Sequence, residues 1–137
     1  MTASKFRLII WLYVALAFAS IGAAFLPNSF SPELVAAYEN EPLPWDAENE
    51  WALIVFAVLM LVAWIAAFVG LLLLKRWGRT LALYITALTL IASPTFGPTL
   101  STGLETALIE AAAIYWGAVL AIAYYSDVRG YFQKREI

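Results

Sequence analysis

Four long apolar stretches, separated by polar segments, dominate the pattern of hydrophobic and polar positions along the chain. They cover about residues 6–26, 51–74, 79–95 and 102–125. A helix needs roughly 20 mostly apolar residues to cross the hydrocarbon core of a bilayer, with a range of about 17–25. Lipid offers the backbone no hydrogen-bond partner, so each crossing segment must satisfy its own amide groups as a helix. The pattern therefore predicts an all-α integral membrane protein, with residues 1–137 forming a single four-transmembrane-helix bundle.

Composition supports the membrane class. Hydrophobic residues make up 64% of the 137 positions and charged residues only 13%, whereas a soluble domain is about half apolar and about a quarter charged. A soluble fold of this size buries only a modest fraction of its surface. We therefore expect the lipid bilayer to be the solvent of most of this chain, in a plasma membrane or the inner membrane of a prokaryote.

The charged residues are segregated, and this predicts the orientation of the bundle. All eight Lys and Arg lie around the start of the first stretch, between the second stretch and the start of the third, or after the fourth, whereas the 27–50 connection has no basic residue and six acidic ones. Loops that stay in the cytoplasm carry an excess of Lys and Arg. We therefore predict cytoplasmic N- and C-termini and an acidic outer loop over 27–50. Within that loop, Ser31 followed by Pro32 predicts the start of a short helix that runs to about Glu39, and Asp46 is a candidate N-cap for the second span.

The absence of two residue types narrows the function classes. The chain has no Cys and no His, which removes disulfides, thiolate catalysis, cysteine-ligated zinc and the commonest general base. The alternating Asp46, Glu48 and Glu50 offer oxygen ligands for calcium, but they lack the glycine and the remote bidentate Glu of a dedicated calcium loop. We interpret them as a solvated acidic loop. The sequence thus predicts no enzyme, no cofactor, no metal site and no nucleic-acid partner.

Glu110 is the residue that the apolar pattern singles out. It lies about six residues inside the outer end of the fourth helix, which is roughly 9 Å deep at 1.5 Å per residue. A carboxylate at this depth is costly and by default marks a functional site. The competing interpretation is structural, with a neutral acid that hydrogen-bonds a neighbouring helix. Both interpretations stay open from the sequence.

Small residues share a helix face with Glu110. Close approach of membrane helices requires such small faces, so we expect Glu110 to point into the bundle and Ala113, Gly117 and Ala121 to pack against another helix. By helical spacing the whole face comprises Thr106, Ala107, Glu110, Ala113, Gly117 and Ala121.

Hydroxyl side chains on two other helices are predicted at a similar depth. Thr86 and Thr89 share a face of the third helix, and Ser20 lies near the outer end of the first. Together with Glu110 they form a candidate ligand or proton site. The alternative is that these hydroxyls bond to their own helix backbone, as Ser and Thr in membrane helices usually do.

Two further features have mainly structural interpretations. Thr102 and Glu105 have the spacing of a capping box, in which the N-cap hydroxyl and the N3 carboxylate satisfy free backbone amides reciprocally. Trp64 and Trp116 are predicted near the middle of the membrane. Aromatic rings near a buried carboxylate can hold an organic cation, but we favour helix packing for both.

The functional hypothesis is a non-enzymatic small multi-pass membrane protein that docks onto a partner membrane protein, as an accessory subunit, assembly factor or immunity-type protein, or onto further copies of itself. The alternative is a small proton-linked transporter or ligand-binding membrane protein that works through Glu110. Whether Glu110 lines a cavity or is sealed between helices is the observation that discriminates between the two hypotheses.

Overall fold

The computed structural model of the chain describes residues 1–27, 30–41 and 50–133. Helical segments account for all the regular structure in these residues. They are α1 (Ala3–Ala24), α2 (Pro32–Glu39), α3 (Glu50–Leu72), α4 (Arg76–Ala92), a short 3₁₀ segment (Ser93–Phe96), α5 (Gly103–Tyr125) and α6 (Arg129–Gln133). The all-α prediction is confirmed.

Three helices within the described residues are long and apolar enough to cross a membrane. They are Ala3–Ala24, Trp51–Leu72 and Gly103–Tyr125. The third predicted span, 79–95, corresponds to α4, which has 17 residues and therefore rises only about 26 Å at 1.5 Å per residue. The chain is thus a candidate multi-pass membrane protein with three candidate spans, and its surface is suited to contact with lipid.

The long helices run alternately up and down. The ring of Phe6, near the start of α1, meets Phe132 beyond the end of α5, with ring centroids 5.9 Å apart. Arg7 Nε donates a 3.0 Å hydrogen bond to the carbonyl of Leu72, the last residue of α3. Arg79, in the first turn of α4, donates to the carbonyl of Ala123 near the end of α5 at 3.4 Å. The start of α1, the α3–α4 turn and the end of α5 therefore lie at the same end of the bundle.

The hydrophobic core lies between these helices and is richest near that end. Phe6 and Ile10 of α1 are fully buried, as are Ala67 and Leu71 in the last two turns of α3. On α5 the core face is formed by residues at spacings of three and four, as one side of a helix requires: Ala112, Trp116, Val119 and Ala123.

The connection between α3 and α4 is a tight turn with one left-handed residue. Leu74 has φ 55°, and the next amide, of Lys75, donates a 2.8 Å hydrogen bond to the carbonyl of Gly70. The Leu74 amide donates to the carbonyl of Leu71 at 3.1 Å. This pair of bonds is the Schellman pattern, in which the left-handed residue is usually glycine. Here the left-handed residue is Leu74, whose side chain is buried. The left-handed conformation costs a residue with a side chain roughly 1–2 kcal/mol.

Several helix boundaries differ from the predicted ones by two or three residues, and the starts of α1 and α4 have a local explanation. α1 begins at Ala3, before the apolar run, because the Thr2 hydroxyl accepts a hydrogen bond from the amide of Lys5 and caps the helix. α4 begins at Arg76, three residues before the predicted start at about Arg79, so part of the predicted basic connection belongs to the helix. Because the turn ends at Lys75, the next helix can begin at the following residue, Arg76.

The outer connection is described only in part. The short helix Pro32–Glu39 has the predicted bounds, and the Ser31 hydroxyl accepts from the amide of Leu34 at 3.2 Å. The proposed Asp46 cap and the rest of the acidic segment 42–49 lie outside the described residues.

Candidate functional site

Glu110 lies on the outside of the bundle. Its side chain is exposed, and it lies about 160° around α5 from the core residue Ala112 at 100° per residue. The expectation that Glu110 points into the bundle is therefore wrong for a single chain. The physical reason is that α5 directs its bulky Trp116 and Val119 inward, where they fill the space between the helices.

The small residues that accompany Glu110 are also turned outward. Ala113, Gly117 and Ala121 are exposed, and a Cβ atom added at Gly117 would meet nothing within 4 Å. The expectation that this face packs on another helix of the same chain is corrected. Packing of the same face against a second molecule stays a prediction.

An open cleft brings the predicted hydroxyl residues together. Its volume is about 490 Å³, and its walls include Ser20 of α1 and both Thr86 and Thr89 of α4. On α5 it is bordered by Ala113 and Gly117. Glu110 is not among its lining residues, although its α5 neighbours Ile109 and Ala113 are.

Two of these hydroxyls bond to the backbone of their own helix. Ser20 Oγ donates to the carbonyl of Ala17 at 2.8 Å, and Thr86 Oγ1 donates to the carbonyl of Ala82 at 2.7 Å. The backbone hydrogen bonds predicted for these two hydroxyls are therefore present, and their part in a ligand or proton site stays a prediction. Thr86 Oγ1 also accepts a 2.7 Å hydrogen bond from Trp116 Nε1, which joins α4 to α5 across the cleft floor.

An aromatic cluster surrounds Trp116 at the centre of the bundle. The Trp116 ring lies 4.7 Å from that of Trp64, 4.9 Å from that of Tyr13 and 5.9 Å from that of Phe68, centroid to centroid. Trp116 is 5% exposed. Aromatic pairs at these separations add to the stability given by burial alone. The packing interpretation of Trp64 and Trp116 is confirmed, and the cluster ties α1, α3 and α5 together.

The start of α5 has the capping box that the sequence predicts. Thr102 Oγ1 accepts from the amide of Glu105 at 3.2 Å, and a carboxylate oxygen of Glu105 accepts from the amide of Thr102 at 3.4 Å. These bonds satisfy two amides that the first turn of a helix leaves without partners. Glu105 therefore has a structural role as part of the cap of α5. Glu110, about one and a half turns further along the helix, is not part of this cap.

A close crossing of α3 and α4 was not predicted from the sequence. A Cβ atom added at Gly70 would lie 2.5 Å from the Cα of Gly78, and one added at Gly78 would lie 2.3 Å from the carbonyl carbon of Gly70. The signal was present in the sequence, because each glycine lies four residues from Leu74, the residue at the centre of the turn. Two glycines placed symmetrically about a helix–helix turn indicate a close crossing.

The contacts of Arg79 were also not predicted from the sequence. Its guanidinium carbon lies 4.9 Å from the ring centroid of Tyr124 and 5.6 Å from that of Phe132. The Tyr124 hydroxyl donates to the backbone carbonyl of Arg79 at 3.2 Å. Arg79 therefore connects α4 to α5 and to Phe132 through its contacts with the two rings. Its hydrogen bond reaches the last turn of α5, where the helix dipole favours a positive charge.

No cluster of metal-ligating side chains occurs in the described parts of the chain. Two features of the described residues are left as candidate sites: the exposed face of α5 with Glu110, and the cleft beside it, which shares Ala113 and Gly117 with that face. Comparisons of the chain with models of protein families, with curated proteins and with solved structures gave no match.

Proposed function

We propose that this protein is a small non-enzymatic membrane subunit that docks onto a membrane protein partner through the outward face of α5. The observation that carries the proposal is the exposure of Glu110 on a helix long and apolar enough to span a bilayer. A lone carboxylate facing hydrocarbon is costly. A polar or basic group on a neighbouring chain would remove that cost.

The residues around Glu110 support contact with another helix. Gly117 lies seven residues further on, so it is two turns along the same face, and a Cβ there would meet nothing within 4 Å. Small residues permit helix backbones to approach closely, and interhelical hydrogen bonds then add to van der Waals packing. The outward face of α5 combines both features, with Ala113 and Ala121 beside Gly117.

The same proposal includes four membrane crossings with both termini in the cytoplasm. It is supported by the alternation of the long helices and by the position of the basic residues. Arg7, Arg76 and Arg79 all lie at the bundle end where α1 begins and α3 ends. The common location of these residues agrees with the tendency of Lys and Arg to remain on the cytoplasmic side of a membrane.

The alternative of a proton-linked transporter receives less support. Such a site needs Glu110 to face a path for a ligand, and the cleft with the hydroxyl residues is lined by Thr86, Thr89 and Ser20 without Glu110. The cleft is compatible with a bulky side chain of a docked partner, since Gly117 lies at its edge.

The test uses Gly117→Leu, which places a large side chain on the docking face. Affinity purification from native membranes with the wild-type chain should retain a defined membrane protein or further copies of this chain, and Gly117→Leu should lose it. The thermal stability of the isolated chain in detergent should be nearly unchanged, because a Cβ atom added at Gly117 would meet nothing within 4 Å.

The matched control is Gly22→Leu. Gly22 is also a helical glycine with nothing within 4 Å of an added Cβ, but it lies on α1. Gly22→Leu should retain the partner. Retention of the partner by Gly117→Leu, or loss of stability in that variant without a partner, would contradict the proposal.

A further inference from the structure

The open cleft with the hydroxyl residues takes its walls from four helices. Tyr13 and Ser20 belong to α1, Trp64 to α3, Thr89 to α4 and Trp116 to α5. Its volume of about 490 Å³ lies within the range of roughly 300–1,000 Å³ that is usual for sites of small molecules. Because four helices contribute, the cleft exists only in the assembled bundle.

Two hydroxyl groups of the cleft have no hydrogen bond within the part of the chain that the structure describes. They belong to Tyr13, whose ring contacts are with Phe68 and Trp116, and to Thr89, which is exposed. Thr86 differs, because it bonds to its own helix backbone. A hydroxyl without a partner is costly in an apolar environment. A ligand that accepts hydrogen bonds from these two groups would remove that cost.

The remaining side chains of the cleft favour an uncharged ligand with a flat ring. The lining residues among those described carry no charge, and a charged group within a bilayer is costly without a partner. The rings of Tyr13 and Trp64 lie 4.9 Å and 4.7 Å from that of Trp116, and aromatic surfaces of this kind pack well against another ring. Trp116 Nε1 already donates to Thr86, so its indole offers a ring face and not a donor.

An apolar groove between α1 and α3 adjoins the cleft. It has a volume of about 450 Å³ and shares Tyr13, Ala17 and Trp64 with the cleft. Its other lining residues are aliphatic or aromatic, and both helices are candidate spans. A hydrocarbon tail would therefore exchange lipid contacts for similar contacts in this groove.

We infer that the cleft binds a lipid-soluble quinone, with its carbonyl oxygens accepting hydrogen bonds from Tyr13 and Thr89 and its tail in the groove between α1 and α3. Carbonyl oxygens accept hydrogen bonds and do not donate them, whereas both hydroxyls can donate. The inference concerns binding alone and involves no electron transfer. It does not rest on the docking proposal, because Tyr13 and Thr89 lie on α1 and α4, away from the exposed face of α5.

The experiment titrates the purified full chain in detergent with decylubiquinone and follows the quenching of tryptophan fluorescence. Two tryptophans line the cleft, so a bound quinone should quench them. Tyr13→Phe and Thr89→Val each remove one hydroxyl and keep most of the side-chain volume. Each should weaken binding about fivefold, which is the scale of one net hydrogen bond.

The matched controls are Tyr84→Phe and Thr80→Val. They remove the same groups from α4 at positions that line another groove and not the cleft. Both should bind decylubiquinone like the wild-type chain. Dodecylbenzene, which has a ring and a tail but no oxygen, should displace the quinone only weakly, and so should the decanoate anion.

A third variant separates this inference from the docking proposal. Thr89→Phe places a ring in the cleft from an exposed position. It should abolish quinone binding while partner recovery and thermal stability stay at wild-type levels. Retention of the partner by Gly117→Leu would contradict the docking proposal and leave the quinone result standing.

Four results would overturn the inference. They are wild-type affinity for decylubiquinone in both Tyr13→Phe and Thr89→Val, an equal loss in the two control variants, equally tight binding of dodecylbenzene, and no quinone binding to the wild-type chain. Equal binding of dodecylbenzene would assign the cleft to hydrocarbon chains of bulk lipid. Loss of the partner in Thr89→Phe, without quinone binding to the wild-type chain, would assign it to a partner side chain.

Discussion

Gly70 of α3 and Gly78 of α4 cross so closely that a Cβ atom on either would lie within 2.5 Å of the other's backbone. The contact follows directly on the turn that Leu74 makes with φ 55°. It brings together two helices that the short connection already holds side by side. In a membrane, where helices gain little from the hydrophobic effect, such van der Waals contact is a main source of association.

Gly78→Ala should therefore destabilise the bundle. The added methyl group meets backbone atoms, which cannot move aside as a flexible side chain can, and overpacking of this kind typically costs about 1–3 kcal/mol. Thermal unfolding in detergent measures the effect. Gly22→Ala is the matched control, since nothing lies within 4 Å of its Cβ position, and it should leave the unfolding temperature unchanged or slightly raised. Equal unfolding temperatures of the two variants would show that α3 and α4 cross less closely than described at Gly70 and Gly78.

The hydrogen bond from Trp116 Nε1 to Thr86 Oγ1, 2.7 Å long, should contribute measurable coupling between α5 and α4. Trp116→Phe and Thr86→Val each remove it, and interhelical hydrogen bonds in membranes average about 0.6 kcal/mol. A double-mutant cycle on unfolding free energy isolates the pair, because burial of the two side chains cancels. Strictly additive losses would mean that the bond contributes nothing to stability.

The orientation can be mapped without background labelling, because the chain has no Cys. Single cysteines at Thr2, Trp77 and Gly130 should react with a membrane-impermeant maleimide only after cells are lysed, whereas one at Asn40 should react in intact cells. The reason is the common bundle end shared by the first three positions and the tendency of basic segments to remain inside. Reaction of any of the first three in intact cells contradicts the proposed four crossings.

Glu110 distinguishes docking from proton coupling. Gln has nearly the same shape as Glu and can both donate and accept hydrogen bonds. If Glu110 contacts a partner as a neutral acid, Glu110→Gln should keep association, and Glu110→Leu should weaken it roughly fivefold, the equivalent of about 1 kcal/mol. The measurement is partner recovery or oligomer formation in mild detergent, with the stability of the isolated chain as the control. A stable Glu110→Gln variant that loses activity in a transport or ligand assay would support the proton-linked alternative instead.

Much of the architecture is determined by local features of the sequence. Three of the apolar runs are the candidate spans because each is long enough to cross a bilayer, and a backbone in lipid must satisfy its own hydrogen bonds. The Thr102–Glu105 capping box and the Ser31 cap depend only on residues three positions apart. Such short-range bonds form wherever the helix begins, so they can be predicted without knowledge of the neighbours.

Which face of each helix turns inward was decided by the tertiary structure. Small size alone made Gly117 and Gly78 equal candidates for close packing, yet a Cβ atom added at Gly78 would meet the backbone of Gly70, whereas one added at Gly117 would meet nothing within 4 Å. Trp116 occupies the centre because Tyr13, Trp64 and Phe68 come from two other helices to surround it. Side-chain packing depends on the rotation of every helix at once. The outward position of Glu110 is therefore a property of the assembled bundle, while its depth along α5 follows from the sequence.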